Sequence, residues 1–353
     1  MANFETLNVG EWSELYVFFK ILEQKLLQGC DEDLSLLNDF VTVVSVKNKQ
    51  IGTESVLEYL TKTCKIELLK DGYFFTEKPL GDIKNCSQNI LTAITGIHKS
   101  TFSIPKISLF LNGFGNPVRK SKASAKRDIT INVLAPVTNR KTEYGFSIKS
   151  SFAGKSTLVN ASSGTNFIYS VDLPVSDLSQ YKTQTKTLLK KLSDKKIFFE
   201  RMESDIFKEN VQLIDTQMPI VLSKMLLYYF QSKGINSLEL LNELKNENPL
   251  QLSNLETYRE KFGDFLLASA LGMFPKTKWN NSYDADGGMI VVKNNGDLAT
   301  FYIFKQAFAQ RLKDYLLNHS FFDTPSTTKH HFGYLYTENE QTKLKLNLQI
   351  RLK

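Results

Sequence analysis

Cysteine is scarce in this chain. Cys30, Cys64 and Cys86 lie far apart, and no CxxC pair or Cys/His cluster exists. That argues against a structural zinc site and against a small disulfide-built fold. No apolar run reaches the length of a membrane span, so no membrane partner is expected. The start of the chain lacks a secretory-signal pattern, and the cysteine count is odd; both point to a reducing cytoplasm. No internal repeat or low-complexity linker is present. Two phosphate-binding motifs are incomplete. Gly154-Lys155-Ser156-Thr157 resembles the end of a P-loop, but its first glycine would fall at position 149, a lysine. Gly113-Phe114-Gly115 starts a dinucleotide fingerprint but lacks the third glycine. His330-His331 would suggest a histidine-metal nuclease, yet adjacent histidines cannot face one way on a strand and no second ligand cluster is near.

Positive charge, in contrast, is in excess. The 353 residues carry a formal charge of +7, and 42% are hydrophobic, ample for a core in one or two domains. A basic balance favours polyanionic partners. Arg119, Lys120, Lys122, Lys126 and Arg127 fall in one glycine-, serine- and proline-containing stretch that ends at Asp128. Such a loop is either a phosphate clamp or an ordinary solvated loop. Lys182, Lys186, Lys190, Lys191, Lys195 and Lys196 are partly at helical spacing and read as a solvated helix face.

The most specific chemistry lies directly after the first basic stretch. Residues 128–134 and 143–149 alternate and are rich in β-branched or aromatic side chains, so both read as strands. Pro136 to Lys141 supplies the turn. Alternation puts Asp128, Thr130 and Asn132 on one face, Ser147 and Lys149 on one face, and Phe146 and Ile148 in the core. Phosphodiester hydrolysis calls for a carboxylate to hold Mg²⁺, which prefers hard oxygen ligands. It also calls for a cation to stabilise developing charge and help activate water. Asp128 and Lys149 supply these. The pattern resembles the PD-(D/E)XK nuclease site, with serine at 147 where an acid is usual.

The missing acid has candidates. Residues 10–28 read as a helix with a buried stripe of Trp12, Leu15, Phe19, Leu22 and Leu26. Glu11 and Glu14 share one flank and either complement the helix dipole or reach the metal. Glu14 ranks first and Glu11 second. Glu143 ranks lower, since four residues of strand put it about 13 Å from Ser147. Asp172 ranks last.

Several blocks together resemble the HpaII-type restriction endonucleases. They are Gly10-Glu11-Trp12-Ser13-Glu14-Leu15-Tyr16, Phe146 to Ser150 with Ser156 to Ser162 and Thr165 to Tyr169, Asp286-Gly287-Gly288 to Lys293, Tyr315 to Asn318 with Thr324 to Gly333, and Leu346 to Arg351. The resemblance covers nearly the whole chain. It implies a Mg²⁺-dependent type II enzyme that cuts both strands of DNA at a short palindrome, CCGG in the family's prototype. It further implies a homodimer and a cognate DNA methyltransferase as a genetic companion rather than a bound partner. Asp128 and Glu14 would hold the metal, Lys149 would activate water, and Ser147 would orient a water. Lys329, His330 and His331 would touch phosphate or base, although a structural loop explains them equally.

The expected fold is α/β or mixed α+β, a PD-(D/E)XK-like core whose mixed sheet is flanked by helices. Residues 1–180 would carry the core and hairpin. Residues 181–353 would add a helical segment and a β-rich DNA-recognition region, possible as one continuous domain. Helices are expected at 53–63, 79–98, through most of 182–245, at 255–272 and at 305–318. Strands are expected at 39–47, 165–172 and 342–352, with a further hairpin at 288–293 and 298–304 turned by Asn294-Asn295-Gly296-Asp297.

Overall fold

A computed structural model describes residues 6–49, 55–97, 99–115, 126–134 and 140–353. It is a mixed α/β protein. Contacts divide it into two units, Met1–Gly154 with Tyr283–Leu312, and Lys155–Ser282 with Lys313–Lys353.

The first unit is built on a nine-stranded sheet. Its elements are α1 (Val9–Gln24), β1 (Leu26–Cys30), β2 (Leu36–Lys49), β3 (Val56–Thr61), β4 (Lys65–Lys70), β5 (Tyr73–Pro79), α2 (Leu80–Gly96), α3 (Pro105–Phe114), β6 (Ile129–Leu134), β7 (Lys141–Ser150), β8 (Gly288–Val292) and β9 (Leu298–Tyr302). The strand order is β1-β9-β8-β7-β6-β2-β3-β4-β5. The first half of β2 also pairs with β1, while its second half pairs with β6 and β3. β6 and β7 form the expected antiparallel hairpin, with Ile129 opposite Phe146 and Asn132 opposite Glu143. Most of its turn lies outside the described residues. On the other side of β7, β8 runs parallel, setting Met289 beside Ser147 and Val291 beside Lys149.

The helix α1 follows from its sequence. Asn8 caps it through the Glu11 N–H, and Glu11 returns a bond to the Asn8 N–H, a reciprocal box that fixes the start. Trp12, Leu15, Phe19 and Leu22 are buried as the stripe requires. The helix stops at Gln24, earlier than expected, because Lys25 takes a left-handed conformation (φ 58°). Leu26 therefore belongs to β1. Burial of each large apolar side chain stabilises by about 1.5–3 kcal/mol. The same core takes in Phe146, Ile148, Ile129, Ile131 and Val133 from the hairpin.

The expected helix at 53–63 is instead the strand β3. Leu57 and Tyr59 are buried while their neighbours are less so, a period of two. Pairing with β2 on one side and β4 on the other overrides the helical reading. The helix at 79–98 is observed as α2 and the hairpin at 288–304 as β8 and β9.

In the second unit, one sheet orders Ile197–Met202, Asn166–Val171, Gln341–Asn347 and Leu335–Glu338; another orders Ser156–Val159, Ile350–Leu352 and Ser320–Phe322. Helices Asp205–Ile214, Met218–Phe230, Ser237–Glu247 and Thr257–Leu271 pack with them. Two expectations change here. Within the expected helical stretch 182–245, Ile197–Met202 is a strand, with Phe199 opposite Tyr169. The single final strand at 342–352 is two strands in two sheets, broken at Leu348-Gln349.

Candidate active site

Asp128 stands one residue ahead of β6. Its backbone N–H donates to the Phe146 carbonyl (2.9 Å), so it continues the hairpin. Its side chain folds over the facing strand. The Ile148 N–H donates to Asp128 Oδ2 (2.6 Å), and the Ser147 hydroxyl donates to the same oxygen (3.3 Å). Both bonds fall on Oδ2, so Oδ1 is the oxygen with lone pairs to offer a cation. Ser147 is buried. In place of an acid, it acts as a donor that fixes the Asp128 carboxylate.

Burial raises the Asp128 pKa above its usual value; Lys149, the two hydrogen bonds and Lys126 pull the other way. Glu14, on α1, also feels Lys149, and Asp128 as well. Burial first, then the Asp128 and Glu11 carboxylates, push it from 4.5 up to about 8, with Lys149 opposing. Asp128, Glu14 and Lys149 therefore lie within electrostatic reach of one another. The helix is tied to β7 nearby, where the Ser13 hydroxyl donates to Ser150 Oγ (2.8 Å). Glu11 is occupied by the capping box.

Lys126 also belongs to this pocket. Burial and the neighbouring Lys149 ammonium lower its pKa to about 7, against the pull of Asp128. The sequence suggested a solvated or phosphate-gripping residue, with no sign of burial beside Asp128. Arg127 differs further from a free clamp. Its Nε donates to the Asp284 carbonyl (2.8 Å) and its Nη2 to Asp286 Oδ1 (3.1 Å). Arg119, Lys120 and Lys122 lie outside the described residues. Glu143 pairs with Lys47 (2.8 Å) and is half-exposed. Asp172 is an exposed residue of the second unit.

The donor set suits a small hard dication. Two carboxylates repel each other in a poorly solvated pocket, and a cation between them would relieve both. Among the described residues, no three acidic, histidine or cysteine side chains converge on a metal-sized point. A metal here would rest on Asp128 and Glu14, with water and a substrate phosphate as further ligands, a habit of Mg²⁺.

In the second unit, Lys329 and His330 lie on the single-turn helix Thr327–His330, capped by Ser326, and His331 ends it in the left-handed region. Desolvation, then Lys329, Lys276 and His331, hold the His330 pKa below its usual value. Lys276, unremarked in the sequence, thus joins this basic cluster. It runs close to Gly164, where an added Cβ would lie 3.5 Å from its side chain.

The chain as a whole matches known proteins. A profile of the HpaII restriction endonuclease family covers residues 8–352. The Type II restriction enzyme HpaII of Haemophilus parainfluenzae is 34% identical over 372 aligned residues, spanning 99% of each chain. No solved structure matches it. Among the described residues, no helix is long and apolar enough to cross a membrane. With its acid-and-lysine hairpin and this end-to-end likeness, the chain belongs to the HpaII restriction endonuclease family and is a type II site-specific deoxyribonuclease.

Proposed function

We propose that the protein is a Mg²⁺-dependent endonuclease on a PD-(D/E)XK-like core, cutting both strands of DNA at a short palindrome, CCGG on the family's pattern. The observation that carries this is the electrostatic convergence of Asp128, Lys149 and Glu14 on one partly buried pocket. Asp128 and Glu14 would hold the ion. When bound, Mg²⁺ supplies Lewis-acid polarisation of the phosphoryl group.

The chain's own residues do the rest. Ser147 and the Ile148 N–H pin one oxygen of Asp128, so the carboxylate spends no free energy reorganising on substrate arrival. Lys149 brings positive charge to where the attacked phosphate gains negative charge, and it orients the attacking water. Water adds hydroxide to phosphorus, one P–O ester bond breaks, and the second water proton ends on the leaving alkoxide. Lys126, near Lys149 and with its pKa lowered to about 7, would gain its proton as the phosphate arrives and then face it as a second cation.

Lys329, His330 and His331, with Lys276, form a basic cluster suited to the DNA backbone. Arg119, Lys120 and Lys122 are proposed as further phosphate contacts. A palindromic target favours a two-fold homodimer with one site per strand. The enzyme would work in the cytoplasm beside a methyltransferase that shields the host's own sites.

The test is to incubate the purified protein with phage DNA and Mg²⁺ and sequence the ends. Fragments ending at one palindrome support the reading, and CCGG ends support the family target. DNA left intact with Mg²⁺ and with Mn²⁺, yet still bound in a gel shift, would overturn it in favour of a non-catalytic binding module.

A further inference from the structure

Lys126, Arg127 and Asp128 precede the first paired position of β6, Ile129 opposite Phe146. The Asp128 N–H reaches the neighbouring strand, at the Phe146 carbonyl. The other two amide groups need acceptors, and a remote segment supplies them. Asp284 Oδ2 accepts from the N–H of Lys126 (2.8 Å) and of Arg127 (3.0 Å).

The Arg127 side chain closes the same contact from the other side. Its Nε donates to the Asp284 carbonyl, and its Nη2 reaches Asp286 Oδ1. That Asp286 oxygen also accepts the Gly145 N–H on β7 (2.7 Å). The side chain lies directly on Gly145, where an added Cβ would sit 2.0 Å from Nε and 2.7 Å from Cγ and Cδ. The Gly287 N–H then donates to the Gly145 carbonyl (2.7 Å), and β8 continues beside β7 toward Ser147 and Lys149. Glu143 lies at the edge of this cluster, 4.0 Å from Arg127 Nη1.

The guanidinium thus faces two aspartates and a glutamate, with Nε and Nη2 engaged by the Asp284–Asp286 segment. We infer that Arg127, Asp284 and Asp286 form a positioning clamp, which sets Asp128 and Lys126 against the β7 residues Ser147 and Lys149. The inference rests on the nuclease reading of that site. Sequence charge alone placed Arg127 with the phosphate contacts; the geometry assigns it to the support of the metal-binding carboxylate. A fork with two partners explains arginine here, since lysine offers no planar pair of donors.

The test compares wild type with Arg127→Lys, Asp286→Asn and the nearly isosteric Asp284→Asn. Three quantities are read: Mn²⁺ binding to the DNA-free protein by electron paramagnetic resonance, kcat and KM on a duplex containing the mapped site, and the salt dependence of duplex binding in EDTA. Losses of supporting contacts around a metal typically cost about 10–100-fold. We expect kcat and Mn²⁺ affinity to fall in that range for Arg127→Lys and Asp284→Asn, with KM and the salt slope unchanged. Wild-type kcat and Mn²⁺ affinity in all three variants would overturn the inference. So would, in a fourth variant Arg127→Gln that removes the charge, a salt slope lowered by about one with kcat intact, the mark of a lost phosphate contact. If Arg127→Lys does not fold, Asp284→Asn decides alone. A wild type that neither cuts DNA nor binds Mn²⁺ sinks the nuclease reading; a cutting wild type with indifferent variants sinks only the clamp.

Discussion

Glu14→Gln is expected to stabilise the metal-free protein above neutral pH while abolishing cleavage. Glu14 is held in a pocket where burial, Asp128 and Glu11 push its pKa from 4.5 to about 8. The folded state therefore prefers the protonated acid. Relative to glutamine, the wild type keeps its full stability below the unfolded pKa and loses it as pH rises through the folded one. At about 1.4 kcal/mol per pH unit, the ceiling is about 5 kcal/mol. Relaxation and water entry reduce such penalties, so a gain of about 1–3 kcal/mol above pH 8 is the working value. The assay is denaturant unfolding of both proteins in EDTA near pH 4, 6 and 8.5. The curves should coincide at the acid end and separate progressively. Excess Mg²⁺ should then restore the wild type more than the variant, because only the wild type keeps both carboxylates. A difference that does not change with pH, or a variant less stable at pH 8.5, would refute the pocket's electrostatics.

Lys149→Ala and Asp128→Ala should each abolish cutting and leave a folded protein that still shifts duplex DNA in a gel; undiminished cleavage by either removes that residue from the site. Gly145→Ala should destabilise by about 1–3 kcal/mol through overpacking against Arg127, read as a lowered unfolding midpoint, and wild-type stability would mean that Arg127 moves aside freely. Lys276→Gln and Lys329→Gln should each lower the salt slope of DNA binding by about one with the cleavage sequence unchanged; an altered target would make the residue a base reader. Ser147→Glu should destabilise the metal-free protein and bind Mn²⁺ no more tightly unless Glu14→Gln accompanies it, by unfolding and metal titration.

The hairpin was legible because two signals coincide in it. Alternation marks the strands, and the polar residues that break the apolar pattern, Asp128, Ser147 and Lys149, are those with chemistry. The stripe of α1 was equally plain, although its end was not, since no sequence cue announces the left-handed Lys25. Residues 53–63 misled because a short apolar run fits either period; its two neighbouring strands decide the matter, and one of them, β4, went unread. Arg127 could not be read at all. Its partners lie 157 and 159 positions away, and a lone Asp284 in a polar segment carries no local sign of its role. The glycines at 287 and 288 stand out as a family block, but their physical reason is visible only in the structure, where Gly287 meets Gly145 and Phe146 and Gly288 takes a φ of 121° against the Phe301 carbonyl.

Serine at position 147 then has an account in charge rather than in decay. That side chain is buried and within hydrogen-bond distance of Asp128. An acid there would add a third carboxylate beside Asp128 and Glu14, whose pKa is already raised to about 8 by burial first and then by Asp128 and Glu11. Lys149, and Lys126 at a pKa of about 7, could not offset that third charge without a larger or second ion. On the proposed reading, moving the acid from the strand to α1 would keep two carboxylates for one dication. It also changes what the vacated position can do, since a hydroxyl donates where a carboxylate only accepts. The donation goes to Asp128 Oδ2, the oxygen also held by the Ile148 N–H, so serine at this position supports the Asp128 carboxylate.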